Sequence, residues 1–195
     1  GNAALVADNP DLAGDFEADA RDIESSFLAG RDTTEVFLGQ LPNRDVARAQ
    51  ILDAFNQGLS LISYVGHGGG AVWAGENILN STDPASLLAQ PRQPFMLTMN
   101  CLNGYFIAPF YAWHAEGFLT APGKGPIASF SPSGLSLDGP AHLYHRALMQ
   151  EITGGQHTRL GDAILAAQKT YADSGYMPEL LSIYHLFGDP GMQIR

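Results

Sequence analysis

Leu59-Ser60-Leu61-Ile62-Ser63-Tyr64-Val65, running straight into Gly66-His67-Gly68-Gly69-Gly70, is the stretch on which the fold turns. Its residues are mostly apolar on both faces, as a central strand of a covered parallel sheet requires. Pro94 to Asn100 (PFMLTMN) repeats the pattern and runs directly into Cys101. Three further runs read as strands: Leu5-Val6-Ala7, broken by Asp8-Asn9-Pro10, then TEVFL over 34–38 and GPIASF over 125–130. Helical spacing fills the intervals. Phe16, Ala20, Ile23 and Phe27 mark a helix over 14–28, and Asn43 caps one running to Asn56. Further helices fall over 106–120, with Pro109 in the first turn, and over 141–152 and 160–172. Strands alternating with helices predict an α/β fold, a three-layer α/β/α sandwich on a mostly parallel sheet.

The composition narrows the partners. Net charge is −10, from 20 acidic and 10 basic residues, which disfavours nucleic acid and anionic lipid. No apolar run approaches the roughly 18–20 residues of a membrane helix, so membrane insertion is not expected. One cysteine among 195 residues rules out an internal disulfide. With no repeat and no linker, positions 1–195 read as a single domain. The chain opens directly into a strand-like run and stops at Arg195, so it is read as a piece of a longer protein with further domains. Arg195 is then either a processing point or a boundary.

In parallel sheets of this kind, sites lie beyond the carboxyl ends of the strands. His67 and Cys101 both sit there, on consecutive predicted strands. Adjacent strands are about 4.8 Å apart, close enough for the two side chains to converge. A thiol attacks as thiolate, and an imidazole beside it can take its proton and later return it to a leaving amine. The glycines around His67 and the Cys101 N–H supply donors for a developing oxyanion. Either residue alone also reads as structural, the thiol as a small buried hydrophobe and the histidine as a turn residue. Val65 and Met99, two residues before each, are assigned to an apolar pocket wall.

Competing motifs are incomplete. His67-Gly68-Gly69-Gly70 is like the oxyanion motif of lipases, but Gly134-Leu135-Ser136-Leu137-Asp138 lacks the last glycine of a nucleophile elbow. Gly66-x-Gly68-x-x-Ala71 echoes a dinucleotide fingerprint without an evident helix behind it. His142 and His145 share one predicted helix and could ligate a metal, but no third ligand is evident.

Several ordered blocks resemble the gingipain family of cysteine peptidases, part of the caspase-like group. They are Asp53 to Ser60, Ser63-Tyr64-Val65-Gly66-His67-Gly68, Asn100-Cys101-Leu102-Asn103-Gly104-Tyr105-Phe106, Glu116-Gly117, Gly125-Pro126-Ile127-Ala128 and Phe187-Gly188-Asp189-Pro190. The resemblance implies a caspase-like α/β/α fold and peptide-bond cleavage through a thioester. It makes Cys101 the nucleophile, His67 the general acid–base, and the N–H groups of Gly68 and Cys101 the oxyanion site. It also implies an acidic residue behind the histidine, for which Asp8 is the best match and Asp11 the fallback. A polypeptide substrate, secretion or surface display, and structural calcium follow from the same resemblance, with no cofactor needed for the chemistry. Asn100 stands where the family has alanine, altering the pocket wall. The acidic residue of lysine-specific members falls near Leu135, so that preference does not transfer. Asp19, Asp22 and Asp138 remain candidates for pocket charge. A sortase-like transpeptidase and a non-catalytic binding module are the alternatives.

Overall fold

The computed structural model describes residues 2–109 and 113–194, so Arg195 and positions 110–112 of the helix expected over 106–120 lie outside the described residues, while 106–109 form turns and the helix there is confined to His114–Leu119. In chain order the elements are β1 (Ala3–Ala7), α1 (Phe16–Phe27), β2 (Thr33–Phe37), α2 (Arg44–Asn56) and β3 (Leu61–Val65). Then come β4 (Val72–Trp73), β5 (Leu79–Asn80), β6 (Phe95–Met99), α3 (His114–Leu119), β7 (Ala128–Pro132), α4 (Asp138–Thr153) and α5 (Leu160–Asp173). The chain closes with α6 (Leu180–Ile183) and β8 (Tyr184–Phe187).

The main sheet has the order β2-β1-β3-β6-β7-β8. Its first five strands are parallel, and β8 returns antiparallel to β7 at the edge. The first two helices start at capping side chains: Asp15 accepts the Ala18 N–H at 3.0 Å, and Asn43 accepts those of Asp45 and Val46. One sheet face packs Leu5, Val65, Met99 and Phe130 against Phe16, Ile23, Tyr144, Leu148 and Ile164. The other packs Val6, Ile62, Tyr64 and Met96 against Ile51, Phe55, Trp73 and Phe118. Each large apolar side chain fully buried this way contributes about 1.5–3 kcal/mol, enough that the sheet's two faces hold the layers without a crosslink.

Two departures from the sequence reading matter for the site. The edge strand β8 was not expected, because its four residues follow directly on a helical turn and a run that short carries no usable period. The segment after His67 folds back as the β4–β5 hairpin rather than as plain loop.

Register sets the site. Ala7 pairs with Val65 and Val65 with Met99, so β1, β3 and β6 end level with one another. Asp8, Gly66 and Asn100 therefore leave the sheet side by side, and His67 and Cys101 stand one residue further on.

Candidate active site

The histidine loop is shaped by close backbone approaches. Gly66 has φ +151°, and a Cβ there would stand 2.6 Å from the Tyr64 hydroxyl and collide with Asp8, so glycine alone fits. Gly68 lies against the nucleophile loop: a Cβ on it would meet the Asn100 amide and come within 2.6 Å of the Cys101 carbonyl oxygen. The two loops are thus in contact, as their strand positions required. Tyr64 steadies the turn by donating to the His67 carbonyl at 2.6 Å.

Asn103 ties the loops together. Its buried side-chain amide donates to the carbonyls of Gly69 and Val72, and its oxygen accepts from Asn100. Its own carbonyl accepts the Ala115 N–H at 3.0 Å, fixing the start of α3. Leu102 has φ +60°, a left-handed turn directly after Cys101.

The acid behind the histidine was expected at Asp8, but the carboxylate on the ring belongs to Asp11. Asp11 Oδ2 is 2.8 Å from His67 Nε2, both side chains being largely exposed. Asp8 is 2% exposed and accepts the backbone N–H groups of His67 (3.1 Å) and Asn9 (2.9 Å). The reason is the level ending of the strands: Asp8 leaves β1 beside Gly66 and meets main chain, while the loop beyond it carries Asp11 out to the ring. Burial raises the Asp8 carboxyl above its ordinary range, partly opposed by those two N–H groups. The Ala13 N–H and the histidine pull Asp11 below it. Phe16 packs edge-on to the imidazole with ring centroids 5.2 Å apart.

The Cys101 sulfur is half-buried, and the Ser136 peptide is its hydrogen-bond partner. No hydrogen bond joins the sulfur to the imidazole among the described residues. The Gly68 and Cys101 N–H groups have no backbone acceptor among the described residues and are available as donors.

Val65 and Met99 do not form a pocket wall. At 3% and 2% exposed they belong to the core under the sheet, because strand alternation turns them toward α1 and α4. Asn100 is also buried and is spent on Asn103. The surface at the mouth comes from the loops instead, where Leu12, Leu135 and Leu137 are exposed. Of the three acids considered for pocket charge, Asp22 is paired with the Arg146 guanidinium and contacts the His142 ring. Asp19 and Asp138 face each other, and burial with their mutual repulsion lifts Asp19 to about 7. His142 and His145 are not a ligand pair: His142 contacts Asp22, while His145 is fully buried and bonded to Ser63 at 2.9 Å. Among the described residues no group of three or more His, Cys, Asp or Glu side chains could hold a metal ion.

Tyr184 and Ser136 are the site residues that sequence reasoning missed. The Tyr184 hydroxyl reaches both the Asn100 carbonyl (3.3 Å) and Ser136 Oγ (3.1 Å). Only the position of Ser136 after β7 hinted at this, since it too follows the carboxyl end of a strand.

A cysteine and a histidine following level strand ends of a mostly parallel sheet are the candidate site, and the comparisons concern the chain that carries it. The fold superposes on the Arg specific cysteine proteinase gingipain R with a TM-score of 0.83 at 19% identity, covering 100% of this chain and 47% of that one. Separase from its Saccharomyces cerevisiae complex with securin matches at a TM-score of 0.57 and 17% identity, over 96% of this chain and 12% of that one. Gingipain R2 of Porphyromonas gingivalis is 25% identical over 162 residues, 77% of this chain and 22% of the relative. Gingipain R1 of the same organism is 25% identical over 77% of this chain and 16% of its own length. The model of peptidase family C25 matches residues 1–195, and the chain belongs to that family. It spans under a quarter of the length of these curated relatives.

Proposed function

We propose that this chain is the catalytic part of a cysteine endopeptidase, with Cys101 as nucleophile and His67 as acid–base. The observation that carries the reading is the level ending of β3 and β6, which sets Gly68 against the Cys101 carbonyl and so puts the histidine and cysteine loops in contact. The Cys101 Sγ–H bond breaks as its proton passes to the imidazole, and the sulfur bonds to the scissile carbonyl carbon. The carbonyl oxygen takes the electron pair and is met by the N–H groups of Gly68 and Cys101. The imidazolium then protonates the departing amine as the C–N bond breaks, leaving a thioester that water hydrolyses. Asp11 on Nε2 orients the ring and leaves Nδ1 for exchange with the sulfur.

The described mouth suits a peptide with apolar contacts to Leu12, Leu135 and Leu137 and a basic side chain directed at Asp19 and Asp138. A relative described as Arg specific is in keeping with such a charge. Further domains in the parent chain belong to the same reading, since the curated relatives are several times longer, and secretion or surface display goes with the family resemblance. Structural calcium finds no cluster of three acidic or histidine side chains among the described residues, and no step here uses it.

The test is cleavage of a mixed peptide library by the wild-type chain and by Cys101→Ala, with products read by mass spectrometry in the presence and absence of an added amine. Hydrolysis lost in Cys101→Ala supports the reading. Products carrying the amine in place of water indicate transpeptidation, and no cleavage by the wild type leaves a binding module.

A further inference from the structure

The loop after β7 places both backbone polar groups of one residue, Ser136, on the nucleophile. Ser136 N–H donates to the Cys101 sulfur at 3.4 Å, and the thiol donates back to the Ser136 carbonyl at 3.4 Å. The Ser136 hydroxyl is itself held, by Tyr184 on β8. Tyr184 is 2% exposed, stacked on Phe130 at 5.7 Å and edge-on to Tyr144 at 5.5 Å. Its hydroxyl position is therefore set by the core rather than by the loop it touches. Donation to the Asn100 carbonyl and acceptance from Ser136 Oγ use both of its contacts at once.

We propose that Tyr184 is a positioning residue for Cys101: one hydroxyl fixes the residue before the nucleophile and the peptide beside its sulfur. This rests on Cys101 being the nucleophile. When the thiol proton moves to His67, the Ser136 carbonyl loses its donor, and the Ser136 N–H remains on the sulfur. That donor matters because the loops around the sulfur bring no lysine or arginine among the described residues. The titratable groups there are His67 after β3, Asp8 and Asp11 after β1, Tyr105 beyond Cys101, Asp138 beyond Ser136, and Tyr184 with His185 on β8. Burial pushes the Tyr184 hydroxyl upward, so it stays protonated across the working range. Without it the Ser136 loop loses its tether, and the sulfur leaves its productive rotamer.

The experiment measures kcat, KM and the rate of Cys101 alkylation by iodoacetamide for wild type, Tyr184→Phe, Ser136→Ala, Ser136→Thr and the Tyr184→Phe/Ser136→Ala pair. Each single loss should lower kcat and the alkylation rate about three- to tenfold with KM within about twofold, as expected for one hydrogen bond. Ser136→Thr, which keeps the hydroxyl, should restore most of the rate. The pair should lose no more than Tyr184→Phe alone, because the link that Ser136→Ala removes is already lost with the Tyr184 hydroxyl. Unchanged kcat and alkylation in folded Tyr184→Phe, or effects that multiply in the pair, would overturn the proposal. Should Tyr184→Phe fail to fold, the half-buried Ser136→Ala compared with Ser136→Thr decides it. Variants that slow alkylation in a wild-type background that cleaves no peptide would retain the clamp and sink the peptidase reading instead.

Discussion

Replacing Asn103 by alanine should loosen the site and the fold together. The Asn103 side chain is fully buried and makes three hydrogen bonds, donating to Gly69 and Val72 and accepting from Asn100. Alanine takes one donor from each of two carbonyls, which keep each other's backbone N–H, and leaves the buried Asn100 amide without its partner. A buried polar group stripped of its partner costs about 1–3 kcal/mol, and water entering the space left by the side chain recovers part of that. The net loss should be about 3–5 kcal/mol, a large share of the roughly 5–15 kcal/mol that holds a domain folded. Urea unfolding followed by fluorescence gives this as a fall in midpoint at constant slope. Tyr64→Phe is the comparison, since it removes one hydrogen bond at the same loop and should cost only about 1 kcal/mol. A loss under about 1 kcal/mol for Asn103→Ala, no larger than for Tyr64→Phe, would refute the claim that this side chain joins the two loops.

Further outcomes are expected from the ionisable groups. Asp11→Asn should lower kcat several-fold with little change in melting temperature, because the group is exposed and acts on the ring. Asp8→Ala should instead lower stability by about 1–3 kcal/mol, since it is buried and holds main-chain N–H groups. The Asp19 carboxyl binds its proton more tightly folded (about 7) than unfolded (3.8), so it costs stability as pH rises through that window. Asp19→Asn should therefore raise the melting temperature at pH 8 more than at pH 4. His114 and His145 are buried and held neutral down to about 3, against an ordinary 6.5. Stability should fall below pH 6.5 with a limiting slope of about 2.7 kcal/mol per pH unit from these two, and His114→Phe should halve it.

The fold was legible where the sequence carries long periods. The runs before His67 and Cys101 are apolar on both faces, and Asn43 sits where a cap belongs, so the central strands and first two helices fall within a few residues of expectation. β8 escaped because Tyr184 to Phe187 is four residues long and joined to a helical turn. The site was legible to the same depth. Strand ends locate His67 and Cys101, and register then brings their loops together. Register also decides what the sequence misassigned: Val65 and Met99 turn into the core, and Asp8 meets the His67 backbone while Asp11 meets its ring. Tyr184 could not be read at all, since it reaches Asn100 across 84 positions through an antiparallel edge strand.

The most direct test is reaction of the protein with peptidyl acyloxymethyl ketones, in wild type and His67→Ala, with the adduct mapped by mass spectrometry. Rapid, sequence-selective modification of Cys101 that His67→Ala abolishes is the predicted result. Modification at the rate of a free thiol, unchanged by His67→Ala, would contradict the Cys101–His67 dyad.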